Sequence, residues 1–177
     1  MARTPFKGMS CSVARTLDVV GERWTPLIVR DILLGVRRFD AMQRDLGISR
    51  KVLAERLSEL TERGVLERVP YQDNPPRHDY VLTEKGVDLA YVLLAMKTWG
   101  DRWASDDDGP PLVLRHERCG AIADIVPACS ECGEPMVPGE VTPLPGPGAH
   151  AGPGTTEVFA ALSKLAGAGA ARDADAA

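Results

Sequence analysis

Residues 39–64 read FDAMQRDLGISRKVLAERLSELTERG, and their apolar spacing decides the fold. Phe39, Met42 and Leu46 recur at helical spacing, which predicts a short helix from Phe39 to Leu46. Gly47-Ile48 is a tight turn. Ser49 suits a helix cap, and Val52, Leu53, Leu57 and Leu60 make one apolar stripe on a second helix running to Arg63. Gly64 closes it. Two short helices joined by a glycine-containing turn are the helix-turn-helix arrangement. Arg50, Lys51, Ala54, Glu55 and Ser58 point away from the stripe. Ser49, Arg50 and Lys51 stand at the helix N-terminus, where free backbone N–H groups and the helix dipole favour phosphate. Arg37, Arg38 and Arg44 precede them, so residues 37–51 hold five cations against two anions, Asp40 and Asp45.

The flanks extend the pattern. Val13, Leu17 and Val20 predict a helix over Cys11 to Val20, stopped by Gly21. Trp24, Leu27, Ile28 and Ile32 predict another over Trp24 to Leu34, stopped by Gly35, with Pro26 harmless in its first turn. Downstream, Val65 to Pro70 reads as a strand, Gln72-Asp73-Asn74-Pro75-Pro76 as a turn, and Arg77 to Leu82 as the returning strand with Tyr80 and Leu82 on one face. Such a hairpin is a wing, and Arg68, Arg77 and His78 flank its tip, where they suit a phosphate backbone or minor groove. Thr83 caps a last helix reaching Trp103. Its stripe of Val87, Ala90, Tyr91, Leu94, Thr98 and Trp99 is more apolar than a small core needs, which points to dimerisation. The fold class is therefore mainly α with a small β wing (α+β), a winged helix-turn-helix.

The chain has 177 residues, enough for one domain and an appendage. Its net charge of −4 argues against a nucleic-acid partner until it is divided. Residues 1–105 hold 17 Lys and Arg against 14 Asp and Glu, a net of +3, and residues 106–177 hold 4 against 11, a net of −7. The first segment is the basic one. Asp106-Asp107-Asp108-Gly109-Pro110-Pro111 marks the boundary after 105, and a Pro/Gly/Ala-rich stretch begins at Pro138. The expected organisation is a winged helix-turn-helix domain over 1–105, an extension over 106–137, and a mostly disordered tail over 138–177. Within that tail a short helix is expected at 155–165 and a frayed end after it. No apolar run is long enough to span a membrane, and MARTPFKGMSCS at the N-terminus lacks the apolar core of a signal peptide, so a cytoplasmic protein is expected.

Several segments resemble the HxlR-type family of bacterial winged helix-turn-helix regulators. They are CSVARTLDVVGERWTPLIVRDILLG at 11–35, FDAMQRDLGISRKVLAERLSELTERGVLER at 39–68, YQDNPPRHDYVLTEKG at 71–86 and WG at 99–100. The resemblance covers roughly residues 8–104. It implies a transcriptional repressor or activator, homodimeric through its N- and C-terminal helices, with a recognition helix from each copy in the major groove of a palindromic operator. It implies that Ser49, Arg50, Lys51 and Arg56 belong to the contacting helix and Arg77 to the wing. Arg38 joins this set through the basic run. The chain departs from the family's opening signature at Ser12, where Pro is usual.

Four cysteines remain, at 11, 119, 129 and 132, and structural disulfides are not expected in a cytoplasmic chain. Cys11 stands at a predicted helix start, a position that favours thiolate. The family resemblance implies a switch responding to oxidants or electrophiles there. The spacing His116-x2-Cys119-Gly120, nine residues after Cys119, then Cys129-x2-Cys132-Gly133 suits four ligands of a structural Zn²⁺. It resembles a zinc ribbon with His in place of the first Cys, and Ile122, Ile125 and Val126 would sit in a small β hairpin between the pairs. A redox pair of Cys129 and Cys132, or plain exposed thiols, are the other readings. An enzyme is not expected, since His78, His116 and His150 form no recognisable triad and no carboxylate with a clear metal-activating role accompanies the cysteine cluster. A protein-docking role for the extension and tail is the alternative to DNA binding. An effector pocket would draw on Trp24, Tyr91 and Trp99, residues that serve more often in cores and interfaces.

Overall fold

The computed structural model describes Phe6 and residues 8–175. Residues 1–5 and 7, part of the segment read for a leader, and 176–177, the end of the expected frayed tail, lie outside the described residues. The chain divides into two compact units, Val19–Val126, and Met1–Asp18 together with Pro127–Ala177. This division does not follow the composition shifts at 105 and 138. One reason lies inside the first unit, where Lys97 Nζ on the last long helix reaches Asp124 Oδ1 at 3.5 Å and holds the following segment to it.

The order of elements is α1 (Ser12–Val20), α2 (Trp24–Leu33), α3 (Phe39–Leu46), α4 (Arg50–Glu62), β1 (Leu66–Gln72), β2 (Arg77–Leu82), α5 (Glu84–Trp103), a 3-10 turn at Pro138–Glu140, and α6 (Thr156–Asp175). The core lies where the apolar stripes meet: Ile28 and Ile32 of α2, Met42 of α3, Leu53, Leu57 and Leu60 of α4, with Ile48, Val65 and Leu66. Val52, Phe39, Leu46, Trp24, Tyr80 and Leu82 pack around it. Ser49 caps α4 as its sequence suggests, its Oγ accepting the Val52 N–H at 3.3 Å. Gly47 ends α3 at φ 61°.

β1 and β2 pair antiparallel from Leu66↔Leu82 to Gln72↔Arg77. Between Pro70 and Gln72 the register slips, leaving Tyr71 as an extra residue on β1. The Asn74–Pro75 peptide in the turn is cis. A feature absent from the sequence reading is a bridge of Arg38 to Asp79, backed by the Tyr80 N–H donating to the Arg37 carbonyl at 2.8 Å. It ties the chain ahead of α3 to the hairpin.

The start of α5 is a knot. The Thr83 hydroxyl donates to the Gly64 carbonyl at 2.7 Å and accepts the Gly86 N–H at 3.2 Å. Gly86 is buried, and a Cβ there would overlap the Val65 carbonyl oxygen and crowd Leu82. On α2, Asp31 is 2% exposed, and its Oδ1 accepts from Arg30 Nε at 3.0 Å and Nη2 at 2.6 Å. Its Oδ2 has no partner among the described residues. Burial pushes this carboxyl up from the usual range, against the opposing pull of Arg30.

Two expectations are corrected. No strand forms between 106 and 137 among the described residues. The expected hairpin is replaced by two isolated bridges, Arg115↔Ile122 and Ala128↔Pro135, because each loop closes on itself, and Ile122 and Val126 stay exposed. The last helix runs ten residues past the expected end at 165, through a tract whose alanines have the highest helix propensity.

Candidate nucleic-acid interface

The outward side of α4 is polar along its length: Arg50, Lys51, Ala54, Glu55, Ser58 and Glu62 are all exposed while Leu53, Leu57 and Leu60 are buried beneath them. Lys51 is 86% exposed, with its ammonium 4.0 Å from Glu55 Oε1. Ser49, at the helix N-terminus, is exposed beside it. Ser58 Oγ donates to Glu62 at 2.9 Å. Arg68 of β1 joins Ala54, Ser58 and Tyr80 in a shallow hollow of about 270 Å³ beside this face.

A larger cleft of about 550 Å³ opens between the start of α3, the start of α4 and the hairpin. Arg38, Arg44, Arg50, Arg77 and His78 line it, with Asp40 as the one acid in its wall. Phe39, Tyr71 and Tyr80 add aromatic surface. Two of the guanidiniums are held in place. Arg38 lies over the Tyr71 ring at 4.3 Å and pairs with Asp79 Oδ1 at 3.3 Å. Arg50 lies over Phe39 at 4.9 Å and donates to Asp40 Oδ1 at 2.9 Å and Gln43 Oε1 at 3.3 Å. The bulge at Tyr71 and the bridge at Arg38 are what bring this ring and this guanidinium together. Such a basic, concave surface beside an exposed helix N-terminus is built to accept phosphate oxygens.

The residues singled out by sequence divide accordingly. Arg38, Arg50 and Arg77 share the cleft, and Ser49 and Lys51 stand on α4 next to it. Arg56 does not join them. It is half-buried and donates to Glu59 Oε2 at 2.6 Å, while Arg63 takes the other oxygen of Glu59 at 3.0 Å. Trp24 packs on the core, whereas Tyr91 and Trp99 are 69% and 64% exposed. Sequence reasoning missed Tyr71, Asp79 and Gln43, which orient the arginines. The signal for Tyr71 in the sequence is an aromatic residue immediately before the turn.

Of the four thiols, Cys119 lies in the unit Val19–Val126, and Cys11, Cys129 and Cys132 lie in the other. All four are free, and half-buried Cys11 immediately precedes α1, its carbonyl accepting the Arg15 N–H at 3.1 Å. In the first unit the Gly120 N–H donates to the His116 carbonyl at 2.8 Å, the His116 N–H to Ala121 at 2.9 Å, and the Ala123 N–H to Leu114 at 2.9 Å. His116 Nδ1 lies 3.3 Å from Cys119 Sγ. In the second unit the loop of Cys129 repeats these bonds thirteen residues on: Gly133 to Cys129 at 2.9 Å, Cys129 to Glu134 at 2.8 Å, and Met136 to Pro127 at 2.9 Å. Gly120 and Gly133 have φ of 72° and 77°, which a side chain would strain. The backbone N–H of Cys132, then that of Glu131, then the Cys132 side chain hold the Cys129 thiol below its usual range. Among the described residues no three His, Cys, Asp or Glu side chains gather as a metal site.

Comparison with known proteins agrees with this geometry. The model of the HxlR-like helix-turn-helix family matches residues 19–108. An HTH-type transcriptional regulator of Mycobacterium tuberculosis, MT3179, itself uncharacterized, is 49% identical over 137 residues, 77% of this chain and 87% of that one. The crystal structure of PA1607, a candidate transcription factor, is 34% identical, with a TM-score of 0.68 over 78% of this chain and 96% of that one. The redox regulator HypR in its oxidized form is 34% identical, with a TM-score of 0.50 over 54% of this chain and 100% of that one. Among the described residues no helix is long and apolar enough to cross a membrane. With the helix-turn-helix, the bridged hairpin and the family match in one segment, the chain belongs to the HxlR-like helix-turn-helix family and is a DNA-binding transcriptional regulator.

Proposed function

We propose that the chain binds a two-fold operator as a homodimer, α4 of each copy lying in the major groove and the wing cleft holding the adjacent phosphates. The cleft carries this reading: four arginines and a histidine from three elements converge on one surface beside the exposed N-terminus of α4. Arg38, Arg44 and Arg77 are the phosphate contacts, and Arg50, turned back onto Phe39 and Asp40, grips backbone. Arg56 supports the helix through Glu59. The dimer reading rests on α5, where Val87, Tyr91, Trp99 and Trp103 form an exposed apolar row at helical spacing. DNA selected by the pure protein from a random pool tests the reading. A two-fold motif is expected, and recovery of random sequence overturns it.

Cys11 is the proposed redox switch. Its place before α1 and the likeness to HypR, a redox regulator solved in an oxidized form, support this. Oxidation is expected to change operator affinity in the native chain and not in Cys11→Ser. For the extension, the zinc reading of His116, Cys119, Cys129 and Cys132 rests on the sequence spacing, which offers one imidazole and three thiols in two x2 pairs, each followed by glycine. Metal analysis of the purified chain is expected to give one zinc per chain, lost in the double variant Cys129→Ser, Cys132→Ser.

A further inference from the structure

Within the DNA-binding reading above, on which this inference rests, α4 presents few side chains that are free to touch bases. Arg50 is drawn back to Asp40, Gln43 and Phe39. Arg56 is tied to Glu59, and Ser58 donates to Glu62. That leaves Lys51, Ala54 and Glu55 as the outward row of the first two turns, the part of a recognition helix that meets base edges.

Glu55 is the anomaly in that row. Its side chain is 50% exposed, and its ion-pair partner among the described residues is Lys51 at 4.0 Å. A carboxylate on this surface is repelled by every phosphate and weakens binding to any duplex. The major groove offers it two compensating donors, the N4 amino group of cytosine and the N6 amino group of adenine. Adenine sets its N7 acceptor beside that donor on the same base, which repels a carboxylate. Cytosine does not, and the acceptors of its paired guanine, O6 and N7, are the groups that a lysine takes. Residues 51 and 55 are one turn apart, about 6 Å along the axis, close enough to address one base pair or two neighbouring ones.

We propose that Glu55 and Lys51 together read a C·G pair in each half-site, Glu55 accepting from cytosine N4 and Lys51 donating to guanine. Glu55 then sets specificity at a cost in general affinity. The test is selection from a random pool by the full native chain and by Glu55→Ala, Glu55→Gln and Lys51→Ala, followed by titration of the native motif and of random duplex. The native motif is expected to require a C·G pair in each half-site, whose replacement weakens binding about ten-fold or more. Glu55→Ala is expected to lose the preference at that pair alone and to bind random duplex several-fold more tightly, a gain that an unfolded variant does not show. Glu55→Gln is expected to move the preference toward adenine, whose N6 and N7 fit an amide. A native motif with no required C·G pair, or one that both Glu55 variants leave unchanged, overturns the inference while leaving DNA binding intact. Absence of any motif overturns the operator reading itself.

Discussion

Asp31 shows how one residue carries an energetic consequence outside the interface. Its carboxylate is buried with one oxygen satisfied by Arg30 and the other without a partner among the described residues. An unsatisfied buried acceptor costs on the order of 1–3 kcal/mol. Because its pKa is raised in the folded state, the native chain binds this proton more tightly than the unfolded chain does. The resulting stabilisation is present below the unfolded value and is lost as pH rises through the folded one. Denaturant titrations across that range are expected to show the native chain losing stability relative to Asp31→Asn as pH rises. Parallel curves for the two proteins contradict the assignment. The same scale shows where sequence stops. A helical wheel gives the direction of a Cα–Cβ bond and not the end of a long side chain. Arg50 points outward on the wheel, yet its guanidinium returns to α3, because a ring, a carboxylate and an amide wait there.

At the scale of elements, α2, α3 and α4 were legible because each has one apolar stripe facing one core, whereas Val13 and Leu17 of α1 and Val87, Tyr91 and Trp99 of α5 stay exposed. Leu53, Leu57 and Leu60 are buried where the period puts them. The hairpin was legible from its turn residues. The bridge at Arg38 and the bulge at Tyr71 were not, since both depend on pairing between segments that no local period encodes. The repeat of the two loops at a spacing of thirteen residues was visible in the letters, although the closing bonds that make them alike were not. The junction of α4, β1 and α5 rests on Gly86, whose role the sequence conceals behind an ordinary helix start. Gly86→Ala is expected to destabilise the fold by about 1–3 kcal/mol, because the carbonyl it strikes belongs to backbone and cannot swing aside. An unchanged midpoint in chemical denaturation contradicts this packing.

For the whole molecule, the division of charge replaces the net value as the useful quantity. The net of −4 conceals a basic winged domain followed by an acidic remainder. The exposed row on α5 is the other molecular-scale feature. Trp99 and Trp103, 64% and 65% exposed, are not needed by the core of one chain. Trp99→Asp is therefore expected to leave the fold intact and to halve the mass seen in sedimentation equilibrium. A native chain that sediments as a monomer, or a variant that remains dimeric, removes α5 from the interface.

The central claim is that the α4 face and the wing cleft grip DNA. Its most direct test is the affinity of the native chain for a duplex bearing its selected motif and for a random duplex, each measured across a range of salt concentrations. The account predicts a clear preference for the motif and a steep fall of affinity with salt, the slope shrinking by about 2 in each of Arg38→Ala and Arg77→Ala as one phosphate contact is lost in each half-site. Equal binding to both duplexes, or a slope that neither substitution alters, would contradict it.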